Sequence, residues 1–482
     1  MPRAHRLLLL LLALGSVLLT ALAARHGFFW DAVLLASRHA QWFYDTNFSV
    51  WVVPAAYDPG HPPLFSVALA ASWHLFGQTL PVSHWAMLPL VLGTLWQVYC
   101  LARRFVPPAW VVPAVLLLWL DTTWLSQSTL VAPDVAVVFC YLLALNGITG
   151  RRPALTLAGS LPLVLLSTRG MILWGALVLT AALLAGLEAV PVRPRPARWL
   201  ALTTKRLLPL APALLLALGW LLLHYRLTGW VGYNARSPWA GNTSLVGPLG
   251  VLRNVALIGW RCLDMGRGAL WLAGGVALWR LLRGGWRPGP ITWQLLALWL
   301  PPALVLSGVM VWYANPIGHR YYLPVFLLFA LLVAHLLAEL PRPRLARTLL
   351  GLGLLGLLSG PFWVYPDHMA NGWDATLAHW PYYRLRQRFI GWLDARRIPL
   401  AEVGSNFPNL YALHHVDLSH DQRRFAPVDL RRNRYVLQSN TMNFGDAVLD
   451  SLQRYWRLRH EERAGQVYFR LYERPEGVTG NR

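Results

Sequence analysis

The chain has 482 residues, 56% of them hydrophobic and only 13% charged, with a formal net charge of +22. Apolar runs near the ~20 residues needed to cross a bilayer recur along it, which excludes an ordinary soluble globular protein. The cationic residues sit mainly at the ends of those runs, as the positive-inside rule expects, so the charge argues against a nucleic-acid partner.

The N-terminal stretch MPRAHRLLLLLLALGSVLLTALAARHG joins a basic flank, an apolar run and ALAA, and in this it resembles a secretory signal peptide. Its run from Leu7 to Ala24 is longer than an ordinary signal core and more runs follow, so an uncleaved first span is expected. Further spans are expected near residues 84–102, 108–124, 133–149, 153–168, 171–189, 207–224, 265–282, 291–312, 321–339 and 346–363, about eleven helices in all. With the N-terminus inside, alternate loops carry Arg103 and Arg104, Arg151 and Arg152, Arg193 through Arg206, Arg280 through Arg287, and Arg342 through Arg347. The basic side is consistent throughout. Tryptophans near run ends, such as Trp110, Trp124, Trp220 and Trp230, fit interfacial anchoring. Cys100, Cys140 and Cys262 form no CxxC pair and lie in or beside apolar runs, so no disulfide framework follows.

That parity leaves residues 25–83, 225–264 and 364–482 outside. In the first of these, AVLLASRHAQWF places Ala32, Leu35, Ala36, His39, Ala40 and Phe43 on one helical face and predicts an interfacial helix. Residues 63–76 are apolar but too short to span, and predict a second. Beyond Tyr365 the strand-like RYVLQSN and GQVYFRLYER surround a helical DAVLDSLQRYW, which predicts a small α/β domain. The expected fold class is thus an α-helical polytopic membrane protein, residues 1–363, with interfacial helices in outer loop 25–83 and a soluble C-terminal outer domain, residues 364–482. The sequons at Asn47 and Asn242 are short enough to arise by chance.

Ionisable residues at outer span ends mark the candidate site, because charge at hydrocarbon depth needs compensation. They are Asp31, Asp45, Asp58, His61, Asp121, Asp134, Arg169, Arg320 and Asp367. Asp31 follows GFFW directly after the first span and reads equally as a helix N-cap or a catalytic carboxylate. Asp134, after Pro133, suits the negatively charged first turn of the fourth span. In YDPGHPPLF, Asp58, Pro59 and Gly60 match a type II turn, with Gly60 taking the positive φ, and Pro63 suits the first turn of a helix. That geometry would hold Asp58 and His61 rigidly, facing the cavity of Asp31. Arg169, in LLSTRGMIL, and Arg320, opening RYYLPVFLLF beside Tyr321, are arginines on the outer side. They read either as snorkelling residues or as a phosphate head-group site.

The aromatic-flanked Asp31, the interfacial helix, HPPLF with LFG beyond it, APD at the fourth span, and GHRYYLPVFLLFALLVA together resemble the GT-C superfamily of polytopic glycosyltransferases. They are most similar to bacterial relatives of the dolichyl-phosphate-mannose protein mannosyltransferases and of the lipid A aminoarabinose transferases. The resemblance covers the architecture of roughly residues 1 to 340, with motif-level similarity confined to those short stretches. It implies transfer of a sugar from a polyprenyl-phosphate carrier to a cell-envelope lipid, glycan or protein on the outer face of a bacterial inner membrane. Asp31 matches the first-loop catalytic Asp, although WDA stands where many relatives have Asp-Glu. His61 stands where many have Lys, and Asp134 matches the second acidic position. On this basis Asp31 is the expected base. Asp58, His61, Asp134, Arg169, Arg320 and Tyr321 are expected on the substrate side. A divalent cation is left open as cofactor, as are sugar and acceptor. The competing class is a membrane transporter or flippase, which would favour repeated halves over one large asymmetric loop.

The arginine alternation predicts topology directly. Reporter fusions after Arg104, Arg152 and Arg344 should report the cytoplasm and one after Asp367 the exterior; a cytoplasmic C-terminus would move the candidate site to the wrong face.

Overall fold

The computed structural model describes residues 1–55, 57–189, 196–232, 239–315, 317–369 and 371–475. Part of the basic loop expected at Arg193 through Arg206 therefore lies outside the described residues.

All eleven predicted spans contain a helix. By length and composition, seven helical segments among the described residues are able to cross a membrane: Arg3–Ala23 (α1), Leu80–Phe105, Pro133–Gly150, Thr168–Ala189, Leu200–Thr228, Pro290–Met310 and His319–Ala338. The other four predicted spans hold shorter helices: Val111–Trp119, Pro153–Leu166, Arg267–Arg283 and Pro343–Leu358. Leu7, Leu10, Leu11, Leu14, Leu18 and Leu22 of α1 are all exposed. A leucine stripe of that size suits lipid rather than water. The chain is a multi-pass, mainly α-helical membrane protein.

The expected span at 108–124 is broken. Val111–Trp119 ends before Asp121, whose side chain accepts from the N–H groups of Thr123 and Trp124 at 3.0 and 3.1 Å and caps a new short helix, Thr122–Gln127. Arg267 donates to both oxygens of Asp121, at 2.7 and 2.8 Å. A bidentate pair and a cap make the break more favourable than a continued apolar helix. Helices Pro133–Gly150 and Pro153–Leu166 pack closely because Gly159 carries no side chain; a Cβ there would lie 2.4 Å from the Ala144 nitrogen. A further helix, Pro248–Leu263, occupies the segment expected to be an outer loop.

In the first outer loop, the predicted helix at 32–43 is a π-helix, Val33–Arg38, continuing into His39–Asp45. The apolar stretch 63–76 forms Leu64–Phe76, with Pro63 just before the helix rather than inside its first turn. The C-terminal part contains a five-stranded sheet, β1 Val403–Ser405, β2 Ala426–Pro427, β3 Tyr435–Ser439, β4 Arg457–Ala464 and β5 Val467–Glu473, in order β2-β1-β3-β5-β4. β1 pairs parallel with β2 and β3, and the β4–β5 hairpin closes the antiparallel side. Helix Pro381–Ala395 packs on that hairpin through Tyr382 and Phe389, both against Phe469.

The first outer loop docks on the C-terminal part. The Phe28 N–H donates to Val416 O at 2.8 Å and Ser37 Oγ to His415 O at 2.5 Å. Phe29 stacks on His379, while His26 stacks on Tyr383 with ring centroids 4.0 Å apart. Burial pushes His26 down to about 3 and His379 to about 4, so both rings are neutral in the junction. Their ordinary value lies near 6.5. A depressed histidine contributes stability that is fully present above pH 6.5 and is lost as pH falls toward 4, because the unfolded chain then binds more protons. Tm in detergent should therefore fall between pH 7 and pH 4.5, less steeply in His379→Gln. An identical slope in the variant would mean that this junction does not sense acid.

Candidate active site

The site grows from the segment Gly318-His319-Arg320-Tyr321-Tyr322, a tight turn leading into Leu323–Ala338. His319 is anchored at Nε2 by Asp264 Oδ2, 2.8 Å away, and Tyr365 donates to the other oxygen of Asp264 at 2.5 Å. Tyr322 meets Ser307 at 3.3 Å. Held on both sides, Arg320 points into a nest of carboxylates. Its two terminal nitrogens donate to Asp31 and Asp374, and its Nε lies 3.8 Å from Asp134 Oδ2. Arg169, at the start of Thr168–Ala189, reaches Asp134 Oδ1 at 2.5 Å. The Tyr321 ring lies under both guanidiniums, 4.2 Å from Arg169 and 5.4 Å from Arg320, so cation–π attraction adds to the ion pairs.

The Asp31 side chain keeps 20% of its surface exposed, against 6% for Asp374 and 1% for Asp134. Asp31 is therefore the carboxylate an incoming group can reach. Its side chain caps no helix: the N–H groups of Leu34 and Leu35 bond to its backbone carbonyl, leaving the carboxylate for Arg320. Asp134 sits in the first helical turn after Pro133, as expected, but its carboxylate faces Arg169.

Five of the seven predicted residues thus meet: Asp31, Asp134, Arg169, Arg320 and Tyr321. His61 stands at their edge, its Nδ1 3.0 Å from Thr168 Oγ1, next to Arg169. Burial pushes His61 down to about 3, with Arg169 acting in the same direction, so its imidazole carries no positive charge near neutrality. Asp58 does not join the cluster. Gly60 takes the expected positive φ, 72°, and its N–H donates to Asp58 Oδ1 at 2.7 Å. The second Asp58 oxygen goes to His224 Nε2 at 2.9 Å, a tie between the first outer loop and the helix Ala211–Thr228. The prolines set the turn, but His224, far along the chain, decides where Asp58 points.

Asp374 was not among the predicted residues; Asp367 was considered instead, and it lies 3.8 Å from Arg470 in the C-terminal part. One signal was available, since Trp373-Asp374-Ala375 repeats the Trp30-Asp31-Ala32 triplet. Ser126 Oγ and Gln127 Nε2 donate to the Asp374 carbonyl at 2.9 and 2.8 Å. Burial pushes the Asp374 carboxyl above the ordinary carboxylate range; Arg320 opposes this, and Asp31 and Asp134 add to it. Asp31, Asp134 and Asp374 against Arg169 and Arg320 leave one negative charge in excess. A proton on Asp374 makes the cluster neutral. Among the described residues no group of three or more His, Cys, Asp or Glu side chains is arranged to hold a metal ion. The carboxylates converge on a guanidinium rather than on a shared point.

The fold defines the class of protein: a polytopic, mainly α-helical membrane protein whose architecture is shared with a solved membrane enzyme. The whole chain aligns with the whole of a crystal structure of ArnT from Cupriavidus metallidurans bound to undecaprenyl phosphate, with a TM-score of 0.51 and 12% identity. ArnT is a lipid A aminoarabinose transferase. A second structure of that protein, in the apo state, aligns over 96% of this chain and 97% of its own with a TM-score of 0.48 and 13% identity. No protein-family model and no curated protein sequence matches the chain.

Arg169→Leu strands Asp134 with only the longer contact to Arg320. Losing one partner of a buried pair costs about 3–5 kcal/mol, and the remaining arginine should keep the loss near the lower end. Adding Asp134→Asn removes the stranded charge and should restore part of the Tm measured in detergent. A double variant less stable than Arg169→Leu would mean that Asp134 is held chiefly by other partners.

Proposed function

We propose that the protein is a glycosyltransferase that moves a sugar from a polyprenyl-phosphate carrier to a cell-envelope acceptor at the outer face of the bacterial inner membrane. The observation that carries this reading is the reachable Asp31 carboxylate bound to a buried arginine at the ends of several apolar helices. The shared fold with a protein crystallised with undecaprenyl phosphate supports the choice of carrier. So does an apolar cavity beside Tyr322, lined by Trp271, Trp299, Phe326 and Phe329, which suits an isoprenoid segment.

The carrier phosphate would approach Arg320 and Arg169, whose forks match phosphate oxygens better than a lysine would. A phosphate oxygen competing for the Arg320 nitrogen that now holds Asp31 would release that carboxylate. The upward push on the Asp374 carboxyl reduces the excess negative charge that an incoming phosphate meets. The freed Asp31 then accepts the proton of the acceptor hydroxyl while its oxygen attacks the anomeric carbon. The bond from that carbon to the phosphate oxygen breaks, and the polyprenyl phosphate leaves with the electron pair. Arg320 and Arg169 stabilise the charge that develops on it. Asp134 keeps both guanidiniums aimed, and Tyr321 supports them from below.

Asp31→Asn keeps the side-chain shape but cannot take the proton. Sugar transfer in membranes should fall by about 10²–10⁴-fold, with little change in affinity for undecaprenyl phosphate. Arg320→Lys keeps charge but loses the fork, so carrier affinity should weaken, and Arg320→Ala should weaken it further. Transfer at the parental rate by Asp31→Asn would remove the base, and equal carrier affinity in all three Arg320 forms would remove the phosphate site.

A further inference from the structure

The two carboxylates that share Arg320 are each preceded by a tryptophan, and both tryptophans grip the same turn. The Trp30 indole N–H donates to Thr441 O at 3.0 Å, and the Trp373 indole N–H donates to Asn440 O at 2.6 Å. These are neighbouring carbonyls just after β3. The turn is itself tied down: Asn440 Nδ2 donates to Gln466 O at 2.8 Å, the Tyr468 N–H donates to Asn440 Oδ1 at 3.2 Å, and the Thr441 N–H donates to Ser439 Oγ at 3.2 Å. Thr441 and Ser439 are buried.

A second observation points to the same place. Trp30 has φ 51°, in the left-handed region that a bulky residue adopts only when its surroundings compel it. Strain of this kind persists where the structure over-determines a conformation, and it clusters at functional sites. The indole bond to Thr441, with the ring packed between Phe29 and Phe407, holds Trp30 there, and the residue that follows it is Asp31. The next backbone step, the Leu34 and Leu35 N–H groups on the Asp31 carbonyl, starts the π-helix from that fixed point.

We propose that the Asn440–Thr441 turn of the C-terminal domain is a positioning element of the catalytic site, which sets the spacing of Asp31 and Asp374 about Arg320 through the indole N–H groups of Trp30 and Trp373. The proposal rests on the transfer reading and gives the C-terminal domain a role in it. Trp30 and Trp373 are positioning residues. Each acts through the carboxylate that follows it: one sets the base and the other sets the acid that shares the base's arginine. The base is useful only if the arginine can pass from Asp31 to the phosphate without the carboxylate swinging away. A rigid backbone on both sides of the exchange provides that.

The test uses Trp30→Phe and Trp373→Phe, which keep an aromatic ring and delete the N–H, and Asn440→Ala, which loosens the turn. Full-length protein is assayed with membranes from cells lacking it, which supply donor and acceptor, and undecaprenyl phosphate serves as the probe of carrier binding. Losing one such hydrogen bond should lower maximal turnover by about 5–10-fold in each Trp variant. Half-saturation and undecaprenyl phosphate affinity should stay within about twofold, since Arg320 and Arg169 remain. Trp30→Phe should cost less than about twofold more in an Asp31→Asn background, because the carboxylate it positions is gone. A loss that merely followed general destabilisation would persist there in full.

Parental turnover in both Trp variants, or an undiminished Trp30→Phe effect on top of Asp31→Asn, overturns the positioning role. If Trp373→Phe does not fold, the half-buried Trp30 decides the matter alone. The two levels separate cleanly. Absence of sugar transfer by the parental protein defeats the transfer reading and this proposal with it, Asp31→Asn at the parental rate removes the base and with it the positioning role, and a crippled Asp31→Asn beside parental Trp variants defeats only the positioning.

Discussion

A single buried guanidinium organises the polar end of this molecule. Taking an ion out of water costs several kcal/mol even after relaxation, and only close, well-directed counter-charges offset it. Arg320 obtains them from three places that are remote in sequence: Asp31 after the first span, Asp134 at the start of a central helix, and Asp374 beyond the last predicted span. The chain cannot bury Arg320 without bringing those three segments together. The carboxylates in turn depend on Arg320 and Arg169, so each part is stable only when the others have arrived.

Around that centre the supporting contacts divide by function. His319, Asp264 and Tyr365 fix the turn that presents Arg320 from below. Ser126 and Gln127, on the short helix that Asp121 initiates, hold the Asp374 backbone. The break in the predicted span at 108–124 is therefore not incidental. It converts the end of an apolar helix into a polar platform, and the Asp121–Arg267 pair keeps that platform at depth. The excess of carboxylates over arginines also gives the site a reserve. Burial and the neighbouring carboxylates raise the proton affinity of Asp374, and two of the three carboxylates share Arg320.

The C-terminal part is integral to this arrangement. A short helix and the turn after β3 receive Phe28, Ser37 and Trp30 from the first large loop, and the same turn holds Trp373 of the C-terminal part itself. An ion-pair network of this kind tolerates little displacement, because charge-assisted hydrogen bonds weaken steeply with distance and angle. The packed sheet and helices of the C-terminal part give the loop between the first two spans a rigid surface to rest on, which lipid cannot.

Local chemistry made much of this readable from sequence. Apolar run length located helices at all eleven places, seven of them long enough to cross, because a bilayer sets a minimum length and tolerates few charges within it. Pro59 and Gly60 dictated their turn, since their backbone preferences act within four residues. Asp31, Asp134, Arg169, Arg320 and Tyr321 stood out because ionisable groups at span ends need partners. Which partners they take was a matter for the tertiary structure alone. Asp58 points to His224 rather than toward Asp31, Arg320 takes Asp374 rather than Asp367, and one span breaks at Asp121, which pairs with Arg267 from more than a hundred residues away. A sequence records which charges must be satisfied, but the pairing is decided by distance in the folded chain, where electrostatic and hydrogen-bond energies are set.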